Sequence, residues 1–529
     1  MDVRTVFNIT DPSKYTAISI SNSGFVSNST KIWRDFKNLY EFNITYSNLK
    51  TVPNDLFTLS NKIMVVNLGH NDIDNISWKD DTFLYAKKLV TLNLEFNCLS
   101  SWHNETFKEL TVLDNLILTQ NDIKKLVKPM FDSLGNLKTL VLDNNGIQVI
   151  NDNALENLKK LRELFLHNNN LTKITANTFY GLRELRLLHL SDNQILTINS
   201  NALDSMPYLT FVYLSTNNIH FIDSQLFNGK SYTTGIWLNH NKIQSLPANL
   251  FKTLGNLEFL HLGYNNISHL EEHTFRGLAK VKTLFLDHNV IDYLHTNSFH
   301  YLLNVKYFDL SHNRISEVTS AMLKKLDNIH YLKFDRNSIV TFEDLPGLKN
   351  LIILDLSYNY INTIVNFKDC PQLSDLNLQH NNITEISMDN AKLKQINKID
   401  LTGNPISAES LETLQNSPYT YIFQMEPESD KCRCLQPYPL PKKLEFLVND
   451  SFVANEQMPD LQNDVAVLQN EFHGKLLKIC LLTIATVVFI AAAVLVLQWR
   501  MLKRQSCRSN VMQNQEDILK IMYCKNESE

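Results

Sequence analysis

Residues 257–270 read LEFLHLGYNNISHL, and their spacing decides how the whole chain is built. Leu257, Leu260 and Leu262 precede Asn265, and Ile267 follows it, in the order apolar, two others, apolar, one other, apolar, two others, Asn, one other, apolar. Working outward, the same window recurs on Asn71, Asn97, Asn121, Asn145, Asn169, Asn193, Asn217, Asn241, Asn289, Asn313, Asn337, Asn359, Asn381 and Asn404. The usual step is 24 residues, as from Asn241 to Asn265 to Asn289. Two earlier windows, Tyr15/Ile18/Ile20/Ser23/Phe25 and Leu39/Phe42/Ile44/Ser47/Leu49, keep the spacing with Ser in the Asn place, as terminal repeats drift from a consensus.

No single repeat of this kind can bury its apolar face, so the repeats must stack. The expected fold is an α/β leucine-rich-repeat solenoid of about 17 repeats, with a parallel β-sheet on its concave face and an irregular or short-helical convex side. The Asn amide suits a turn whose backbone groups have no sheet partner. At about 4.8 Å per strand the sheet makes an arc roughly 75 to 80 Å long. That scaffold offers a long concave surface to a partner and no catalytic pocket of its own.

Composition narrows the function further. The 529 residues carry a net charge of −5 without long runs of one sign, which argues against nucleic-acid binding, and only 13 Gly, which argues against flexible linkers. No phosphate loop or nucleophile elbow is present, so no catalytic residue, cofactor or metal ligand is assigned. Most histidines stand in an His-Asn doublet beside the repeat Asn (His70, His240, His288, His312, His380), which reads as repeat vocabulary.

Near the C-terminus, residues 479–497 run without a charge, enough as a helix to cross a bilayer core of about 30 Å. Trp499, Arg500, Lys503, Arg504 and Arg508 follow, and this bias predicts a cytosolic tail with the repeats outside. The expected organisation is an N-terminal flank (1–14), the solenoid (15–406), a cap with a Cys pair (407–441), a heptad-patterned stalk or short coiled coil (442–475), a transmembrane helix (476–499) and a tail (500–529). The expected localisation is the plasma membrane, single-pass. Met1 to Ile20 contains no apolar signal segment, so a true N-terminus is expected to lie upstream. Cys432 and Cys434 seldom bond each other at such close spacing, which leaves intermolecular disulfides and a cap disulfide both open. Cys370, at a position held by Leu in other repeats, is expected to be a buried core thiol.

Strand alternation aims the residue four before each Asn at the concave face. In mid-chain this column is aromatic: Phe165, His189, Tyr213, Trp237, His261 and Phe285, widened by Phe211 and Phe259 two residues earlier in their strands. A solvent-exposed row of this kind suits an interface, so these eight residues are the candidate ligand-binding set. Packing between neighbouring strands would explain the same row. One repeat is irregular, with Lys230 and Thr233 where other repeats have Leu, and Gly235 beside Trp237; a close ligand or local bending would each account for the glycine. Sequons at Asn8, Asn28, Asn43, Asn75, Asn104, Asn170, Asn266, Asn382 and Asn449 are candidate glycosylation sites.

The 24-residue repeats with Phe107, Phe131, Phe179, Phe251, Phe275 and Phe299 on the helix side resemble the typical animal extracellular class, shared by Toll-like receptors and chaoptin-type adhesion proteins. The order of repeats, Cys pair, heptads and one span resembles the transmembrane branch of the mosquito leucine-rich immune proteins. That resemblance implies an ectodomain binding protein or microbial ligands in innate immunity, as receptor or co-receptor, with Cys and coiled coil pairing chains into homo- or heterodimers. A cell-adhesion protein binding itself or a neighbouring cell would use the same solenoid.

Overall fold

The computed structural model describes residues 11–22, 36–52, 57, 62–74, 82–102, 105–364, 367, 369–386, 396–410, 421–422 and 520–522. Two units divide the chain, 1–427 with 519–529, and 428–518; the second lies outside the described residues, and with it the Cys432/Cys434 pair, the stalk and the expected span. Among the described residues no helix is long and apolar enough to cross a membrane.

A strand falls on every window read in the sequence. The first two are Ala17–Ser21 and Glu41–Thr45, followed by three-residue strands from Val65–Asn67 to Lys398–Asp400, each parallel to the next. Register is strict: Phe211, Val212 and Tyr213 lie beside Gly235, Ile236 and Trp237, which lie beside Phe259, Leu260 and His261. Tyr421–Ile422 extends the sheet beyond the last window, and Lys520–Met522 runs antiparallel to Ser19–Ser21 at its first edge. The convex side holds turns, short two-stranded pairs such as Lys125–Leu126 with Val149–Ile150, a 3-10 turn at Lys128–Phe131 and one helical turn at Ser320–Leu323. Helices are few because the convex segments are short and the repeat Phe side chains already fill the space behind the sheet.

One continuous core runs the length of the solenoid. Leu257, Leu260, Leu262 and Ile267 are fully buried, as are Phe251, Phe275 and Phe299. Each repeat Asn stitches its turn to the one before. The amide of Asn265 donates to the carbonyls of Leu238 (2.9 Å), Leu262 (3.0 Å) and Gly263 (3.2 Å), while its oxygen accepts from the Ile243 N–H (3.1 Å). Asn97, Asn217 and Asn313 repeat this set, so the buried backbone of the turns is satisfied by side chains.

Cys370 is buried, and burial pushes its thiol up to about 11. Thr233 fills its Leu position by donating to the Leu209 carbonyl at 2.8 Å. Lys230 is only 3 % exposed, and burial of its stem in the core lowers its ammonium against the partial offset of Asp204.

Candidate functional site: the concave ring layer and the turn ladder

The eight candidate residues lie together on the concave sheet, and they are not a row of free side chains. Strands that pair in register set like positions side by side, so the rings pack on one another. His189 stacks on Tyr213 (centroids 4.8 Å apart), Tyr213 on Trp237 (4.2 Å), Trp237 on Phe259 (4.7 Å) and His261 on Phe285 (4.6 Å). Phe165 joins at one end; Phe285 continues to Tyr307 (5.1 Å) and Tyr307 to Tyr331 (6.1 Å) at the other. The expectation of a solvent-exposed row is therefore corrected. Phe165, Tyr213, Trp237 and Phe259 are buried, while His189, Phe211, His261 and Phe285 are partly open. Each flat ring covers its neighbour, and stacking hides faces that a single strand would leave to water.

Gly235 has a definite role in this layer. A Cβ there would stand 2.5 Å from the Trp237 ring and 3.2 Å from Phe211, so the glycine is the seat of the indole. Its φ is not left-handed, and neither a ligand approach nor a bend is needed to explain it.

Burial sets the protonation of the layer. His189 is pushed down to about 3 by burial, aided by His167, and His261 to about 4 by burial and the nearby His240, against Asp309. Both are neutral at physiological pH. Tyr213 and Tyr307 are raised by burial, the latter also by Asp309, whose carboxylate accepts from its hydroxyl at 3.1 Å. Beyond the rings the concave face turns acidic, with Asp287, Asp309, Asp335 and Asp355 on successive repeats. Asp335 is pushed up to about 7 by burial and by the charges of Asp355 and Asp309, against Lys333.

A second ring array was visible in the sequence only as His-Asn doublets. The residue before the repeat Asn takes a left-handed backbone, with φ of 50° to 55° from His240 to His380. His240 stacks on Tyr264 (4.2 Å), Tyr264 on His288 (4.0 Å) and His288 on His312 (3.9 Å). Arg336 lies 4.2 Å over the Tyr358 ring, which stacks on His380 at 4.4 Å. A similar short stack joins Tyr46, His70 and Phe96. The doublet is thus a turn position whose side chains align between repeats.

Of the sequons, Asn170, Asn266 and Asn382 are exposed just after the repeat Asn, whereas Asn43 lies in a strand with its side chain bonded to Glu41. Asn8, Asn28, Asn75, Asn104 and Asn449 fall outside the described residues.

The comparisons agree with this geometry. A family model described as leucine rich repeat matches residues 111–171, 135–195, 160–219, 233–291, 280–339 and 340–383. A leucine-rich-repeat protein of Leptospira interrogans is 25% identical and superposes with a TM-score of 0.58, over 75% of this chain and 98% of that one. Toll of Drosophila, in its complex with Spätzle, is 20% identical with a TM-score of 0.62, over 80% of this chain and 56% of that one. The chain thus spans just over half of that Toll chain. The plant peptide hormone receptor RGFR1, in complex with RGF2, is 20% identical with a TM-score of 0.52, over 74% of this chain and 71% of that one. No curated protein matches by sequence. The stacked parallel strands, the Asn ladder and the matched repeats identify the chain as a leucine-rich-repeat protein.

Proposed function

We propose that this protein is a cell-surface recognition receptor or co-receptor of innate immunity whose repeats bind a protein or microbial ligand on the concave face. The observation that carries the reading is the ring layer. It spans the sheet from Phe165 to Tyr331, and Phe211, His261 and Phe285 keep part of their surface open at its top. Rigid aromatic surface of this kind is the chemistry of interface anchors. Two of the similar folds, Toll and the plant receptor, are complexes with Spätzle and with RGF2, which lends support by analogy of fold alone.

The single-pass arrangement, with the repeats outside and residues 476–499 in the membrane, rests on the uncharged stretch and the basic residues after it.

The test uses the full-length chain expressed on cells. Antibody to the repeats should stain unpermeabilised cells, and glycosidase should shift the band; staining only after permeabilisation would reverse the topology. Cells carrying the chain should bind soluble microbial surface fragments or a secreted protein, with the joint change Phe211→Ala and Phe285→Ala weakening that binding by roughly thirtyfold, about 2 kcal/mol. Aggregation of the transfected cells with one another, without binding of soluble ligands, would replace recognition by adhesion.

A further inference from the structure

The turn ladder from His240 to His380 runs beside the concave layer and is built of other side chains, with a chemistry of its own. Its ring faces are spent on one another. The last ring, His380, rests against Gly403, which continues the column with φ +72° and where a Cβ would come within 2.5 Å of Nδ1. What points outward is a line of ring edges and one guanidinium. His240, Tyr264, Arg336 and Tyr358 are exposed, and His288, His312 and His380 are partly so.

Edges of this kind donate hydrogen bonds, through imidazole N–H and guanidinium N–H groups. They have no free face on which a base could stack. Two residues further along each turn, the next column adds exposed Lys242 and Arg314 and holds no acidic residue from Lys242 to Asn382. On the inner side, Asp287 pairs with Nδ1 of His288 at 3.0 Å, Asp309 and Lys333 lie near His312, and His261 lies near His240. Asp335 precedes Arg336, so acids line the inner side of the ladder, while Lys242, Arg314 and Arg336 are exposed along it.

We propose that this edge binds an anionic polysaccharide lengthwise, and binds it more tightly as its histidines take up protons. A polymer fits because equivalent donors recur on successive repeats, about 4.8 Å apart. Sulfate and carboxylate groups accept edge-on hydrogen bonds from imidazolium and guanidinium. A single-stranded nucleic acid would forgo most of the base stacking on which such binding relies, since Tyr264 and His288 each carry a ring on both faces and Tyr358 lies between Arg336 and His380. An imidazole can only gain a proton as pH falls, which sets the direction of the dependence. At His312 that uptake is held back by burial and by the charges of His288, Arg336 and Lys333, against Asp309.

The experiment measures heparin oligosaccharide binding to the purified full-length chain at about pH 5.5 and 7.5 at one salt concentration, with single-stranded RNA and neutral dextran as comparators. Heparin should bind about tenfold more tightly at the lower pH, and more tightly than RNA of similar charge. Arg336→Gln, an exposed change, should weaken heparin several-fold at both values; His288→Gln with His312→Gln should reduce the pH dependence, and adding Asp335→Asn, which removes the carboxylate beside Arg336, should remove most of what remains. Equal binding at both pH values, tighter binding of RNA, or Arg336→Gln binding like the parent would overturn the assignment. Should the histidine double variant fail to fold, Arg336→Gln and the RNA comparison still decide it.

Discussion

At the scale of single residues, small and titratable groups settle what the pattern leaves open. Gly235 leaves the space that the indole fills, so Gly235→Ala should push Trp237 off the sheet. The expected outcome is a red shift of tryptophan emission with the repeats still folded; an unchanged spectrum would show that the ring accommodates a methyl group. The buried titratable groups pull stability in opposite directions with pH. His189 and His261 stay neutral in the fold, near 3 and 4, while an unfolded histidine titrates near 6.5. The unfolded chain then binds more protons in acid, so their contribution is full above about pH 6.5 and is lost as pH falls toward 4 and 3. Asp335 does the reverse: raised from 3.8 to about 7, it costs stability at high pH, and the cost is relieved as pH falls through 7 toward 4. Asp335→Asn should therefore raise the melting temperature at pH about 8 and change it little near pH 4, whereas His261→Gln should flatten the acid limb between about 6.5 and 4. Melting curves across that range check both signs. None of these shifts was legible in the sequence, because each depends on neighbours a repeat away.

At the scale of the element, strand pairing converts a column of residues into a layer. Period two in the sequence assigned the column to the concave face, and it could not weigh exposure, since that depends on how the next strand's ring lies. Trp237, 8 % exposed and stacked between Tyr213 and Phe259, is as much core as surface. Trp237→Ala should accordingly destabilise the solenoid by about 3 to 5 kcal/mol, comparable to the 2 to 5 kcal/mol expected of the fully buried Leu238→Ala. Phe285→Ala, on a partly open ring, should cost less. Chemical denaturation of the three variants tests the order; a Trp237→Ala protein as stable as the parent would return the indole to the solvent-exposed role. The Asn ladder belongs to this scale too. Its residues were legible one by one, while its bonds to the preceding repeat, such as Asn265 to Leu238, exist only once repeats stack.

At the scale of the whole molecule, association is the open variable. If Cys432 or Cys434 links chains, non-reducing gels of alkylated membranes should show a dimer that disappears when both are changed to Ser, with the heptads raising the local thiol concentration. A band that is monomeric throughout would leave the pair to a cap disulfide within the chain. Taken alone, the sequence determined the solenoid, its parallel register, the buried Leu and Phe positions and the identity of the concave column. It could do so because each repeat carries the same local pattern and buries its face only against a copy of itself. Only the tertiary structure decided which concave rings stay open, why Gly235 stands beside Trp237, and that the His-Asn doublets line up as a stacked edge. Those facts depend on contacts between side chains about 24 residues apart, whose orientation is set by the strand beside them and not by the residues next in sequence.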